Sequence, residues 1–413
     1  MVFSKIKKLG FRLYNSLAGK AARVFHRPRK VKAPLADMLL ADALRLAEIP
    51  SPTPGEEQRA VFVLERLKTL GLIFNTDDEG NILVRLHSPQ AADERPLLLF
   101  APLGSGRWHP LESLSRLDAQ NALGAGLADT LGSAALLSLA ETFVAGKLKN
   151  CRDLLLLFAV RSLDDPENRV FPSLLENSRY YPFAALGVQG LSLGRVITHA
   201  RGSYRILISV SQNDTEEDKK KTILPAGKAP PDEPAEPSNR VTDFLITAAR
   251  ELLNLPWEGE GKTDLYIRCL EAETLFGRTP LEGRLEIELD FSAGSSPEKL
   301  FQTLNTVVET LARGTDLKIK IRITSFIPAG DIGINAPLTA LLKTVMKEQR
   351  IKIKEEGGPD PSAFFAGPGI PALSLGIALG REGGSRDLIE IASVEKGRLL
   401  LENLAFRLCK EGL

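Results

Sequence analysis

The chain has 413 residues, enough for two or three domains with a sizeable core in each. Hydrophobic residues make up 43% and charged residues 25%, and a net charge of +1 argues against a whole-chain nucleic-acid binder. Cys151, Cys269 and Cys409 stand far apart with no Cys-x-x-Cys pair, which fits a reducing, cytoplasmic setting and excludes a cysteine-based zinc site.

Residues 1–34 open the chain with ten Lys or Arg and no acid, while Phe3, Ile6, Leu9, Leu13, Leu17, Ala21 and Val24 recur at helical spacing. An apolar face opposite a basic one predicts an amphipathic helix. Through residues 1–32 it can lie on an anionic membrane surface, gaining about 1 kcal/mol per basic residue near lipid. The alternative is a basic tail, or a helix packed on the body of the protein. Neither a continuous apolar core nor a small-residue cleavage site marks it as a secretory signal. No apolar run approaches the roughly 18 to 20 residues of a bilayer span.

From 35 to 200 apolar strands alternate with helical patterns. "PLADMLLADALRLAEI" and "EEQRAVFVLERLKTLG" read as helices broken by "SPTPG". Strands "NILVRL" and "PLLLFAP" precede a helix "TLGSAALLSLAETFVAGK", then strands "RDLLLLFAV", "FAALGVQG" and "GRVITHA". Continuous apolar strands between helices predict a parallel or mixed sheet covered on both faces.

Between 201 and 325 the pattern changes to strand "SYRILISVSQ", helix "RVTDFLITAARELLNL", strands "TDLYIRCL" and "GRLEIELDFS", helix "SPEKLFQTLNTVVETLARG" and strand "LKIKIRI". Ser296 suits the cap of that second helix, with Pro297 in its first turn and Gly314 at its end. The stretch 213–238, dense in charge and proline, reads as a flexible loop. From 326 to 413 the α/β style returns with "PLTALLKTVMKEQ", "IKIKEE", "IPALSLGIA" and the helix "SVEKGRLLLENLAFRLCK". The expected architecture is a large α/β domain interrupted by a smaller α+β domain of βαββαβ order.

Four phrases in this order carry a resemblance. "IPSPTPGEEQRAVFVLERLKTLGL" is similar to an opening PSxSGxE, and "GAGLADTLGSAALLSLAE" to GxGxADDKxGxAAxLxAA. "DPSAFFAGPGIPALSLG" is similar to SDAxxFxxxGIPxxxxG, and "DLIEIASVEKGRLLLENLAFRL" to ExIxIxSLxKGxxxLxxLxxxL. Over residues 36–411 the chain resembles the zinc-dependent exopeptidases and deacylases that include peptidase T, carnosinase, aminoacylase and desuccinylases. The resemblance implies an exopeptidase-like domain interrupted by a lid and dimerisation domain.

It also implies a dinuclear zinc centre, with metals about 3.5 to 4 Å apart and a carboxylate that activates the bridging water. This sequence departs from the pattern at nearly every such position. The family's His-x-Asp falls on Pro102 and Gly104, its paired glutamates on Ser162 and Leu163, a further carboxylate on Gln189, and its last histidine at about Gly383. Asp129 alone matches a family ligand, the bridging aspartate. The inserted domain's substrate-binding histidine has no counterpart in "NDTEEDKKK", and the Asp-x-Arg at a strand end reads Asp290-Phe291-Ser292.

The reading is a non-catalytic pseudo-hydrolase without catalytic, metal or cofactor residues, retained for ligand binding, assembly or regulation. The alternative is a metal-dependent peptidase or amidohydrolase with a relocated or single-metal site, taking zinc through donors such as His109, Asp118, Asp164, Asp165 and Asp360 beside Asp129. A metal-free serine hydrolase on Ser162 lacks a GxSxG elbow. Arg107, Trp108, Arg161, Arg201 and Arg386 are the candidates to line an interdomain cleft for a small carboxylate or peptide. The resemblance further implies a homodimer through the inserted domain. The expected location is cytoplasmic, and membrane-peripheral if residues 1–32 bind lipid.

Overall fold

The computed structural model describes residues 35–51, 55–88, 95–104, 115–146, 152–160, 170–177, 179–212, 240–257, 262–272, 280–330, 336–383 and 385–413. The basic segment 1–34 and the stretch 213–238 lie outside the described residues, as do Arg107, Trp108, His109, Arg161, Ser162, Leu163, Asp164 and Asp165.

Along the chain come α1 (Leu35–Glu48), α2 (Glu57–Thr69), β1 (Asn75–Thr76), β2 (Ile82–Leu86), β3 (Leu97–Pro102), β4 (Arg116–Leu117), β5 (Asn121–Gly124), α3 (Leu127–Val144) and β6 (Leu154–Ala159). Then follow α4 (Val170–Glu176), β7 (Ala184–Gln189), β8 (Arg195–Gln212), α5 (Arg240–Leu253), β9 (Thr263–Ala272), β10 (Glu282–Phe291), α6 (Pro297–Ala312) and β11 (Leu317–Ile327). The chain closes with α7 (Ala336–Glu348), β12 (Lys354–Pro359), a 3-10 turn (Pro361–Phe365), β13 (Ala372–Gly376), β14 (Gly380–Arg381), β15 (Asp387–Glu390) and α8 (Ile391–Glu411).

The main sheet has the order β1-β2-β6-β3-β7-β13, parallel from β6 to β13 and antiparallel at the β1-β2-β6 end. Its leucine runs are apolar at every position because both faces are covered. Leu97, Leu99 and Ala101 join one core with α1, α3, α7 and α8, while Leu98 and Phe100 join another with Phe171 of α4 and Phe365. The Phe100 and Phe171 rings meet edge to face at 4.9 Å between centroids. Each fully buried leucine contributes about 1.5–3 kcal/mol. By length and composition α3 could cross a membrane, but 78% of it is buried here as the central helix of the core.

The second sheet, β11-β8-β10-β9, is antiparallel, with β12 pairing parallel to β8. Helices α5 and α6 cover one face, and β11 alternates Ile319, Ile321 and Ile323 inward with exposed Lys318, Lys320 and Arg322. Ser296 caps α6 by accepting from Lys299 N, and Gly314 follows the helix at φ +80°.

The structure corrects one expectation. "GRVITHA" and "SYRILISVSQ" are a single 18-residue strand, β8, so the change of pattern at 200/201 falls inside an element. Arg195–Arg201 pair with β12, and from Gly202 onward the strand pairs with β10. Gly202 permits the crossing: a Cβ there would lie 2.2 Å from the Phe291 ring and 2.8 Å from Ala329 N. Beside it, Gly330 N donates to Ala200 O at 3.2 Å, so the two links between the halves of the molecule run side by side.

Candidate functional site

In a sheet of this kind ligands bind beyond the carboxyl ends of the strands. Here the ends of β3 and β7 meet the first turn of α3, and glycines allow the approach. A Cβ on Gly132 would sit 2.2 Å from Val188 O, and one on Gly190 would sit 1.6 Å from Ala128 O. Ser133 Oγ donates to Pro102 O at 2.7 Å, which fixes the end of β3 against the helix. Gly126, at φ +64°, turns the chain into α3 and brings no capping side chain. The cap comes from Asp387 instead: Oδ2 accepts from Ala128 N at 3.0 Å and Oδ1 from Gly383 N at 3.3 Å.

The fold therefore assembles Pro102 and Gly104, Asp129, Gln189 and Gly383 around one helix turn. The sequence resemblance assigns these positions, from four separate stretches of chain, to metal ligands and, at Gly104, to the acid that orients the first of them. Ser162 and Leu163 fall outside the described residues.

The group that sequence reasoning missed is Arg59. It is 1% exposed, its Nη1 donates to Leu103 O at 2.8 Å and its Nε to Ile49 O at 3.3 Å. Leu103 lies between the two positions of the family's His-x-Asp. The third nitrogen, Nη2, is enclosed without a hydrogen-bond partner. Burial pulls the Arg59 pKa down to about 10, and the negative charges of Asp129 and Glu56 oppose that fall. The guanidinium is thus charged at neutral pH and feels half-buried Asp129. A signal did exist: Arg59, Val63 and Leu67 are the buried residues of α2, so the arginine heads an apolar stripe at i, i+4, i+8.

Most of the remaining candidates are engaged elsewhere. Asp118 is exposed in the β4–β5 turn; backbone N–H groups of Gln120 and Asn121 donate to it at 2.7 and 2.6 Å and hold its pKa low. Asp360 is fully buried and caps the 3-10 turn, accepting from Ser362 N at 2.8 Å and Ser374 Oγ at 2.7 Å. Arg201 is committed to Asp264 at 2.7 Å and to the carbonyls of Asp290 and Lys262. Arg386, half-buried between Gly383 and Asp387, has its Nε enclosed without a hydrogen-bond partner. His87 lies at the opposite end of the sheet, bound to Asp153 at 2.9 Å, and His199 belongs to β8.

A dinuclear metal centre does not fit these side chains. Proline and glycine bring no donor, and Asp129 with Gln189 offers two side chains where one zinc takes about four close ligands. Among the described residues no group of three or more His, Cys, Asp or Glu is placed to hold a metal ion.

No protein-family model and no curated protein sequence matches the chain. Solved structures do. Human carnosine dipeptidase 1 aligns with a TM-score of 0.66 at 11% identity, over 91% of this chain and 97% of that one. The di-peptidase Dug1p from Saccharomyces cerevisiae gives 0.66 at 14% identity, over 92% and 97%. A dinuclear metal-binding peptidase of the M20 family from Bacillus subtilis gives 0.53 at 12%, over 91% and 99%. The chain has the two-domain α/β fold of M20-family peptidases.

Proposed function

We propose that this chain is a diverged member of the M20 metallopeptidase family that no longer hydrolyses its ligand and is kept for binding, assembly or regulation. One observation supports the reading: the stretches that the resemblance aligns with the family's ligands meet at the start of α3, and of the described positions aligned in this way only Asp129 carries a carboxylate. A hydrolase of this kind needs a metal to polarise the scissile carbonyl and to lower the pKa of the attacking water. Proline, glycine and a buried guanidinium supply neither function. A small carboxylate or peptide is the ligand class that a persisting interdomain cleft would suit.

The test is a panel of dipeptides and N-acylated amino acids incubated with the full-length protein in zinc, manganese or cobalt. The expected result is no turnover that Asp129→Ala removes. Turnover that depends on both the added metal and Asp129 would overturn the proposal and favour a relocated or single-metal enzyme.

A further inference from the structure

We propose that the outer edge of β11 docks an extended peptide of alternating acidic and apolar residues, taken up as a further strand of the second sheet. This edge shares no residue with the start of α3, so its role stands apart from the functional reading above.

β11 has the geometry that strand addition needs. Among the described residues it pairs only with β8, as the end strand of β11-β8-β10-β9. From Leu317 to Ile323 the two strands run through seven unbroken pairs, and the register shifts only beyond, between Ile323 and Ser325. An edge strand offers a row of N–H and C=O groups along its open side, which another extended chain can pair. The apolar layer also runs out to this edge. Ile206, Ile208 and Val210 of β8 are at most 1% exposed, whereas Ile319, Ile321 and Ile323 beside them are only half-buried. An added strand would cover their free flanks.

The face away from α5 and α6 sets the charge of the occupant. Lys318, Lys320 and Arg322 stand exposed there in one column. Across the ladder they meet Ser211, Ser209 and Leu207, which carry no charge, and they make no ion pair among the described residues. Towards the opposite edge of the same sheet the bases are answered: Arg268 binds Glu288, and Arg284 binds Glu271 at 2.8 Å. Opposite charges facing across a strand pair stabilise it, and like charges destabilise it. A second β11 paired in the same phase would set Lys or Arg against Lys or Arg, so the column opposes self-pairing. An acidic strand would instead meet a cation at every second residue. The apolar residues between its acids would lie beside Ile319, Ile321 and Ile323.

The test uses the full-length protein and a fluorescein-labelled peptide of about seven residues alternating Glu and Val, read by anisotropy. Saturable binding is expected, with the matching Lys–Val peptide weaker by about tenfold or more. Combining Lys318→Glu, Lys320→Glu and Arg322→Glu changes only exposed side chains, so the fold should persist by circular dichroism while the preference between the peptides inverts. A Glu–Val peptide methylated at every backbone nitrogen keeps its charges and loses its donors, and it should bind about tenfold more weakly or worse. Equal binding of the methylated peptide would reduce the site to charge attraction, and binding unchanged by the charge reversal would place it elsewhere. Either result overturns the proposal, as does the lack of saturable binding up to about 1 mM peptide. Dimers that the peptide disperses in sedimentation would give the edge to a second copy and overturn it too.

Discussion

At Asp360 one carboxylate oxygen accepts two short hydrogen bonds, while Oδ2 is enclosed without a hydrogen-bond partner. Burial raises its pKa above 3.8, and the bonds from Ser374 and Ser362 only partly oppose the rise. Asp153 has partners on both carboxylate oxygens. It is also buried, but Arg85 and His87 reach its Oδ2 at 2.8 and 2.9 Å and Ser88 N reaches its Oδ1. Because the folded state holds the Asp360 proton more tightly than the unfolded chain, stability falls as pH rises from about 4 through the folded pKa. Asp360→Asn keeps an oxygen for both donors and cannot ionise. Urea unfolding at pH 4.5 and 7.5 (roughly spanning that window) should therefore show a smaller loss of stability with rising pH in the variant than in the parent. Identical losses would mean that Asp360 does not ionise differently on folding.

Among the elements, α3 holds the centre together, and its start shows the limit of local reading. The sequence pattern begins the helix at Thr130, while the structure begins it at Leu127. No capping residue precedes Leu127 in the chain, because the cap is Asp387, 259 positions away in β15. Asp387→Asn should cost on the order of 1–2 kcal/mol in urea unfolding, since it weakens both the cap and the tie to Gly383. The control, Asp118→Asn in the exposed turn, should cost less; an equal or smaller effect at Asp387 would remove it from the support of α3. The strands of the main sheet were legible because Leu97–Phe100 and Leu154–Phe158 are unbroken apolar runs of strand length. The β4–β5 hairpin and the seven-residue α4 carry no such run or period, and sequence reasoning passed over both. Strand β8 reads as two elements because its pattern changes after about residue 201, where Gly202 serves the crossing over Phe291.

For the whole molecule, the order of strands and helices carried the fold, and the family phrases carried the positions to inspect. What sequence could not carry was their convergence, which depends on glycine contacts at Gly132 and Gly190 and on one carboxylate shared between Ala128 and Gly383. Nor did it single out Arg59, since an arginine on a helix is ordinarily a solvated charge. The result is a peptidase-like frame in which Pro102, Gly104, Asp129 and Gln189 stand at the junction of β3, β7 and α3. The most direct measurement is the metal content of the full-length protein, purified without chelators, soaked in zinc, manganese or cobalt, then desalted. The account predicts far less than one metal per chain, unchanged by Asp129→Ala. One metal per chain, lost on Asp129→Ala, would contradict it.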